Sequence, residues 1–323
     1  MATINLLGEP CMLRDCLGAG GMGTVYSADH RVEGRLAVKL LQPELASDPL
    51  LVARMTEEAA AGRKVDHPNV VRVIGSGVCD DGLPFVAMRR IAGAPMGHQL
   101  QDEGSYELAR VRTIALQVLA GLDAIHRAGL VHADLKSDNI LVDACDRAVI
   151  IDFGLARAPR TRLRDDEQVI SGTPDYMAPE LIRGAPITAA ADIYAIGVIL
   201  YEMVTGSTPF AAATTAEVFH GHLEDDVVPP SLRRPDLAIP PALDAAICAA
   251  LAKDPADRPA TAMLLRALIA RAIPRAWSEP IHLRIPGVAT TGPTRRWPRG
   301  SVQADTVPAA RSMLLEDPCD SSS

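Results

Sequence analysis

Positive charge and long apolar runs are both scarce in this sequence of 323 residues. Its 40 acidic residues outnumber its 32 basic ones, which gives a net charge of −8 and disfavours a general attraction to nucleic acid. The longest strongly apolar stretch, residues 189–204, is interrupted by Asp192 and Glu202, whereas a membrane span needs about 18 clean apolar residues. We therefore expect neither a nucleic-acid partner nor a membrane span.

The opening residues and the cysteines lack two further signatures. The opening sequence MATINLLGEP has no basic start followed by an apolar run, which argues against a secretory signal. The six cysteines show neither CxxC motifs nor Cys/His pairs at zinc spacing. These absences predict a cytoplasmic protein with scattered reduced thiols.

Apolar residues are plentiful enough for a real core, at 48% of the chain, and they follow two different patterns. Early in the chain, short β-rich runs surround one helical stretch at residues 49–64; these runs are residues 23–28, 35–40, 70–74 and 85–88. From Ser105, which is placed to cap a helix, apolar side chains recur at helical spacing, and later helical runs cover residues 189–204 and 241–251. The pattern predicts an α+β protein with a small β-rich lobe followed by a larger helical lobe.

Residues 271–323 differ in composition from the rest of the chain. Seven prolines break this stretch, so we expect a disordered tail. The tail holds seven arginines and five acids, which leaves the preceding body with a net charge of −10. The predicted organisation is a lead-in at residues 1–10, one domain at 11–270, and a tail rich in proline and arginine at 271–323.

A glycine-rich segment near the N-terminus fits a phosphate-binding loop. Gly18, Gly20 and Gly23 follow the spacing G-x-G-x-x-G, in which the missing Cβ atoms let backbone amides approach phosphate oxygens. A dinucleotide site would need a helix directly after these glycines, whereas the next residues are typical of a strand. Taken alone, the motif leaves a plain hairpin turn as an alternative.

A lysine in a predicted apolar strand indicates a nearby anion. Lys39 follows the apolar triplet LAV, and an unpaired ammonium group is costly to bury. Glu58 on the following predicted helix can supply the carboxylate. Its neighbour Glu57 competes for that role, and simple solvent exposure is the alternative for both glutamates.

The most specific motifs lie in the middle of the chain. The segment VHADLKSDNILV at residues 131–142 and the triplet DFG at 152–154 resemble the catalytic loop and metal-binding motif of eukaryotic-type (Hanks-type) protein kinases. The segments GTPDYMAPE at 172–180, DIYAIG at 192–197 and DPADRP at 254–259 resemble three later motifs of that family. The resemblance covers residues 11–270 and is closest in style to the bacterial serine/threonine kinases.

This resemblance implies a two-lobed protein-kinase fold, with an N-lobe at residues 11–88, a hinge at 89–93 and a C-lobe at 94–270. It also implies a cytoplasmic signalling enzyme that transfers the γ-phosphoryl group of ATP to serine and threonine hydroxyls of proteins, itself included. The implied metal is Mg²⁺, with Mn²⁺ as an alternative.

Carried over by position, the resemblance assigns phosphate, metal and proton handling to five side chains. Lys39 would bind the α- and β-phosphates, with Glu58 as its ion-pair partner. Asn139 and Asp152 would hold the metal. Asp134 would accept or orient the proton of the substrate hydroxyl.

Substrate positioning and support fall to a second set of residues in the same resemblance. Lys136 would steady the γ-phosphate and Thr173 would lie beside the incoming hydroxyl, a combination that implies serine/threonine substrates. Asp192 would hydrogen-bond the catalytic-loop backbone, and Arg258 would pair with Glu180 to fix the activation segment.

The resemblance also implies an adenine pocket built from both lobes. The implied nucleotide-binding residues are Leu17, Gly18, Gly20, Gly23, Val25, Ala37, Lys39, Met88, Ile91 and Leu141. Ordinary core packing is the alternative for each apolar member of this set.

The sequence departs from the family at positions that bear on regulation. Ala133 replaces the arginine that pairs with an activation-segment phosphate, and Ser137 replaces the usual proline. Arg89 and Arg90 stand where an acid and an aromatic residue often open the hinge, and Gly62 offers no side chain one turn beyond the pairing glutamate. No phosphate, metal or proton-handling residue is lost, so we expect these changes to affect regulation more than catalysis.

Phosphorylation sites, substrate preference and rival functions complete the expectations. Thr161 and Ser171 are candidate phosphorylation sites. Asp138 favours substrates that are basic upstream of the acceptor, with a solvated acid as the alternative. One rival is a pseudokinase scaffold that binds signalling partners, which would usually lack one of the charged catalytic residues. Another is a small-molecule kinase, which would lack the segment at residues 172–180.

Overall fold

The first part of the chain folds into an antiparallel sheet whose strands follow one another closely in sequence. The computed structural model describes residues 3–20, 23–152 and 174–274. The sheet has the strand order β1-β2-β3-β4-β6-β5. Its strands are β1 (Thr3–Leu6), β2 (Glu9–Ala19), β3 (Gly23–His30), β4 (Gly34–Leu41), β5 (Val73–Val78) and β6 (Pro84–Arg89).

The first two strands were not predicted from the sequence, and they form one edge of the sheet. Ile4 and Leu6 on β1 are buried while Asn5 between them is exposed, which is the alternation of a strand with one face in a core. The amide of Asp80 donates to the carbonyl oxygen of Thr3 at 3.1 Å, which brings β1 close to the end of β5. Part of the predicted lead-in at residues 1–10 is therefore an ordered strand of this lobe.

Helix α1 (Pro49–Gly62) packs against this sheet and ends two residues before the predicted limit. The carboxylate of Asp48 accepts a hydrogen bond from the amide of Leu50 at 2.8 Å, and proline occupies the first turn, so the helix start is well defined. Met55, Glu58 and Ala59 are buried on the inner side of the helix. This helix therefore carries Glu58 toward the sheet.

The second part of the chain is mostly helical, with one small sheet of order β7-β8-β9 at its boundary with the first. Its strands are β7 (Ala94–Pro95), β8 (Ile140–Val142) and β9 (Ala148–Ile150). Its helices are α2 (Met96–Glu103), α3 (Leu108–Arg127), α4 (Pro179–Ile182), α5 (Ala189–Thr205), α6 (Thr215–Glu224), α7 (Pro230–Arg233), α8 (Pro241–Ala250) and α9 (Ala262–Ala272). Helix α5 is buried along nearly its whole length, and α3 buries its apolar stripe, so these two helices form the centre of the helical lobe. The predicted α+β, two-lobed architecture is confirmed.

Three local expectations are corrected by the structure. Ser105 does not cap α3, because the helix begins after Glu107; the Ser105 hydroxyl instead accepts a long bond from Arg234 at 3.4 Å. Helix α9 includes Arg271, which was assigned to the tail. Free thiols are confirmed at four cysteines, Cys11, Cys16, Cys79 and Cys248, whereas Cys145 is disulfide-bonded.

Within the described ranges, no helix is long and apolar enough to cross a membrane.

Candidate active site

The glycine-rich segment forms the turn between β2 and β3. The amide of Gly20 donates to the carbonyl of Gly23 at 2.9 Å. A Cβ at Gly23 would overlap the carbonyl oxygen of Leu40, so glycine is required there by packing. A Cβ at Gly18 or Gly20 would meet no atom within 4 Å, so these two glycines leave open space that a ligand's phosphates could occupy. Gly21 and Met22 lie outside the described residues.

Lys39 on β4 lies between two carboxylates that come from distant parts of the chain. Its Nζ is 3.3 Å from Oε1 of Glu58 and 3.0 Å from Oδ1 of Asp152. Glu57 is exposed, whereas Glu58 is buried and contacts the ammonium, so of the two glutamates Glu58 is the partner of Lys39. The lysine, the helix and the segment after β9 thus meet at one point.

Burial and ion pairing act against each other on these three groups. Burial alone would lower the pKa of Lys39, but the carboxylates of Asp152 and Glu58 outweigh it and raise that pKa. Burial, reinforced by the charge of Asp152, raises the pKa of Glu58. The pKa of Asp152 is lowered, because the ammonium of Lys39 overcomes the effect of burial. Lys39 therefore stays charged, and Asp152 is the better ionised of its two partners.

The apolar side chains assigned to the implied adenine pocket are only partly buried. In the strand register Val25 lies opposite Lys39, and Ala37 lies opposite Met88. By contrast, Leu36 and Val38, which flank Ala37, are fully buried. Partly exposed apolar side chains are what an apolar ligand cleft requires. The partly exposed members are Val25, Ala37, Met88, Ile91 and Leu141, and Leu17 is 40% exposed.

The loop between α3 and β8 holds the predicted proton acceptor. Burial raises the pKa of the Asp134 carboxyl, and the nearby Lys136 ammonium opposes this, with Nζ 3.5 Å from Oδ2. Asn139 donates its side-chain amide to the backbone carbonyl of Asp134 at 2.8 Å and approaches its carboxylate at 3.4 Å. These bonds fix the three polar side chains in one short loop.

Asn139 and Asp152 offer a ligand pair suited to a hard divalent cation. The backbone carbonyl of Asn139 accepts from the amide of Ile151 at 2.8 Å, which sets Asp152 beside it along the chain. The amide nitrogen of Asn139 already donates to Asp134, so its carbonyl oxygen is the atom left to ligate. Mg²⁺ is often held by one or two protein oxygens together with phosphate oxygens and water, and this pair fits that mode. In the part of the chain described here, no group of three His, Cys, Asp or Glu side chains could hold a metal.

Asp192 near the start of α5 holds the backbone of the predicted catalytic loop by hydrogen bonds. Its carboxylate accepts from the amides of His132 at 2.9 Å and Ala133 at 2.8 Å. His126, which sequence reasoning missed, adds a contact from its Nε2 at 2.8 Å. Although burial would raise it, the pKa of Asp192 is lowered, with His126 the largest opposing cause. These bonds hold Ala133 at φ +64°, a left-handed conformation that costs an alanine about 1–2 kcal/mol.

Arg258 and Glu180 form a buried, two-pronged ion pair. Two guanidinium nitrogens of Arg258 lie 2.7 Å from the two carboxylate oxygens of Glu180. The same guanidinium donates to the carbonyls of Ala190, Ala252 and Lys253, so its donors are fully used. This pair ties α4, which begins at the end of the predicted activation segment, to the segment just before α9.

A second hydrogen-bonded group beside the catalytic loop was also missed. Tyr176 donates its hydroxyl to Glu202 on α5 at 2.7 Å, and Ser137 of the catalytic loop contacts the same hydroxyl at 2.8 Å. The three residues are far apart in sequence, and no local pattern points to their meeting. Thr173 and the candidate phosphorylation sites Thr161 and Ser171 lie outside the described residues, as does the rest of the stretch 153–173.

Comparison with known proteins agrees with this geometry. The model of the protein kinase domain matches residues 12–268. The serine/threonine-protein kinase pkn3 of Myxococcus xanthus is 39% identical over 262 residues, which cover 78% of this chain and 48% of that protein. PknD of Mycobacterium tuberculosis is 39% identical over 77% of this chain and 37% of its own length. PknE of the same organism is 36% identical over 93% of this chain and 54% of its own length.

The chain therefore belongs to the protein kinase family. Its resemblance to Hanks-type kinases of the bacterial style, inferred from the motifs, is confirmed. The chain spans about half the length, or less, of these curated relatives.

Proposed function

We propose that this chain is an ATP-dependent serine/threonine protein kinase. The observation that carries the proposal is the meeting of Lys39 with Glu58 and Asp152, next to the loop that holds Asp134 and Asn139. Phosphoryl transfer needs cations to neutralise phosphate charge and a carboxylate to take a proton, and this arrangement offers both. The names of the relatives, all serine/threonine-protein kinases, support the same choice of substrate hydroxyl.

In the proposed reaction, the chain's residues orient two reactants and move one proton. Lys39, held by Glu58, binds the α- and β-phosphates of ATP. Asp134 takes the proton of the serine or threonine hydroxyl while the hydroxyl oxygen forms a bond to the γ-phosphorus. The bond between the γ-phosphorus and the bridging oxygen breaks, and ADP leaves with that oxygen. Lys136 neutralises charge on the transferring group. Asn139 and Asp152 would hold Mg²⁺, or Mn²⁺ as an alternative, and the bound cation would supply further charge neutralisation at the phosphates.

Substrate preference is proposed to favour basic residues upstream of the acceptor. Asp138 is exposed beside Asn139. Burial raises the pKa of the nearby Glu202 carboxyl, and the charge of Asp138 adds to this effect. Negative charge near the path of a peptide attracts Arg and Lys. A positional peptide library would show enrichment of Arg or Lys before the acceptor, reduced in Asp138→Asn. A flat profile in the unaltered protein would contradict this preference.

The proposal also includes autophosphorylation, a role in signal transduction and a location in the cytoplasm, where ATP is present. Detection of phosphate on the purified chain by mass spectrometry tests the first of these. Cell fractionation tests the last.

The decisive test is direct. Purified protein is incubated with labelled ATP, a basic serine peptide, and MgCl₂ or MnCl₂, beside an Asp134→Asn sample prepared identically. We expect label in the peptide with the unaltered protein, loss of at least about 100-fold in the variant, and no transfer when EDTA is present. Nucleotide binding without transfer by the unaltered protein would instead favour a pseudokinase scaffold.

A further inference from the structure

Ser137 lies inside the catalytic loop, between Lys136 and Asn139, at a position where the family usually has proline. Proline has no side-chain donor, so the hydrogen bonds that Ser137 makes from its hydroxyl are ones that a proline at this position could not make. The Ser137 side chain is buried, with 3% of the residue exposed. A buried hydroxyl must be paired to be tolerated, and the pairing partner indicates its role.

The partners of Ser137 come from two other elements of the helical lobe. Its Oγ is 2.8 Å from the hydroxyl of Tyr176 and 3.5 Å from Oε1 of Glu202. Tyr176 in turn donates to Oε2 of Glu202 at 2.7 Å. The result is a chain of hydrogen bonds from the catalytic loop, through the turn at Pro174–Tyr176, to the carboxylate of Glu202 on α5.

The residues around Ser137 leave its side chain little room to move. A Cβ at Gly97 on α2 would lie 2.8 Å from Oγ of Ser137 and would overlap the carboxylate of Asp138. Helix α2 therefore closes one side of the Ser137 site. Burial raises the pKa of Tyr176, and the charge of Glu202 adds to the effect, so the tyrosine remains a neutral donor at working pH.

We propose that Ser137 is a positioning residue that fixes the turn at Pro174–Tyr176 relative to Asp134, and so sets where a peptide substrate presents its hydroxyl. The inference rests on the proposed kinase function. Asp134 and Ser137 belong to one short loop, and Tyr176 lies in the segment 172–180, which resembles the end of the activation segment. A bond between the two loops links the proton acceptor to the segment expected to dock the peptide.

The first experiment separates substrate positioning from general damage. In Ser137→Ala we expect the KM for a peptide substrate to rise about 3- to 10-fold, the range expected when one buried hydrogen bond is lost. The KM for ATP should stay within twofold, because the Ser137 hydroxyl is hydrogen-bonded to Tyr176 and Glu202, neither of which is assigned to nucleotide binding. Ser231→Ala is the matched control, since this hydroxyl also donates to a carboxylate, that of Asp244, but between α7 and α8. It should leave both KM values unchanged.

A double-mutant cycle tests whether Ser137 acts through Tyr176. Tyr176→Phe removes the other hydroxyl, and the double variant should have a peptide KM within about twofold of Tyr176→Phe alone. If the fold-increases in peptide KM from the two single substitutions multiplied in the double variant, the proposed coupling would be overturned. Equal rises of both KM values in Ser137→Ala would also overturn it, because that result indicates general loosening.

The same double-mutant cycle, measured as the free energy of unfolding in urea, tests the hydrogen bond between Ser137 and Tyr176 without relying on catalysis. We expect non-additive losses of stability for Ser137→Ala and Tyr176→Phe, whereas additive losses would contradict the bond itself. An unaltered protein that transfers no phosphoryl group would overturn the proposed kinase function. An active protein whose peptide KM is unaffected by Ser137→Ala would overturn only the role of Ser137.

Discussion

At the scale of single residues, Lys39 balances two carboxylates that could not otherwise remain so close. Without the ammonium, Glu58 and Asp152 would face each other in a poorly solvated site. Lys39→Met should therefore reduce kcat/KM for phosphoryl transfer by about 100-fold or more, because it removes both the phosphate contact and the charge balance. Steady-state kinetics with labelled ATP measure this effect.

The control for this substitution is another lysine of the same lobe. Lys64 is exposed beyond the end of α1, and Lys64→Met should leave the kinetic constants unchanged. Circular dichroism should show both variants folded at the assay temperature. Substantial turnover by folded Lys39→Met would exclude the role assigned to this lysine.

Residues with the chemistry of the site could be singled out from the sequence because their motifs are short and specific in spacing. The supporting contacts could not, since they join positions far apart in the chain. Ser137 and Tyr176 are 39 positions apart, and His126 and Asp192 are 66 apart. A residue's type indicates that it needs a partner, but only the packed fold decides which partner it finds.

At the scale of elements, helix α3 was predictable because its apolar side chains recur over 20 residues. Strands β7, β8 and β9 have two or three residues each, too few to show any periodicity. Strand β1 did carry a signal in the alternation of Ile4 and Leu6 with Thr3 and Asn5, but four residues form a weak pattern. The length of the periodic stretch therefore governs what can be predicted.

The packing of α6 against its neighbours predicts a pH effect on stability. His222 on α6 is fully buried, with its Nδ1 2.7 Å from the hydroxyl of Tyr194 and its ring edge-on to Phe210. Burial lowers the pKa of His222 to about 4, against about 6.5 in an unfolded chain. The unfolded chain therefore binds the proton first as pH falls, and the free energy of unfolding decreases from pH 6.5 downward.

This effect is measured by urea unfolding at several pH values. Between pH 7.5 and pH 5, the unaltered protein should lose about 2 kcal/mol more unfolding free energy than His222→Gln, whose amide does not titrate. His220→Gln is the matched control, because the side chain of His220 is 67% exposed and should leave the wild-type slope unchanged. Equal slopes for the unaltered protein and His222→Gln would contradict the prediction.

At the scale of the whole molecule, the buried core of the described residues reaches Ile273. Ile269 and Ile273 are fully buried, and Arg266 donates to the carbonyl of Leu116 on α3 at 2.9 Å, so α9 is an integral part of the helical lobe. Compared with the full chain in the presence of a thiol reductant, a chain ending after Pro274 should therefore keep the stability of the full chain and its peptide kinase activity within about twofold. Thermal unfolding and initial rates measure both quantities.

The contrasting truncation removes α9 itself. A chain ending after Ala260 loses the buried side chains of this helix and should fail to fold cooperatively. If ending the chain after Pro274 were equally damaging, the segment beyond it would have to contribute to the domain. That outcome would reject the proposal that residues 275–323 are dispensable.

Regulation is also a property of the whole molecule, because a phosphate switch needs a receptor as well as a phosphorylation site. At Ala133 the receptor position holds a methyl group, which cannot make the charge-assisted pair that arginine makes with phosphate. The backbone there already has φ +64° and is held by Asp192, so its conformation does not depend on a phosphate contact. Phosphorylation at Thr161 or Ser171 should therefore change the rate on an exogenous peptide by less than about tenfold, roughly 1.4 kcal/mol.

Phosphatase-treated and phosphorylated samples compared over a short time course test this expectation, since brief assays limit renewed self-phosphorylation. Ala133→Arg is the informative partner variant, because the restored guanidinium should make the rate depend more strongly on phosphate than it does in the unaltered chain. A hundredfold fall in the unaltered chain after phosphatase treatment would mean that another basic residue receives the phosphate. In that case Ala133→Arg would increase the dependence of the rate on phosphate only slightly. Comparing the unaltered chain with Ala133→Arg therefore distinguishes a chain without a phosphate-binding residue from one in which a different basic residue binds the phosphate.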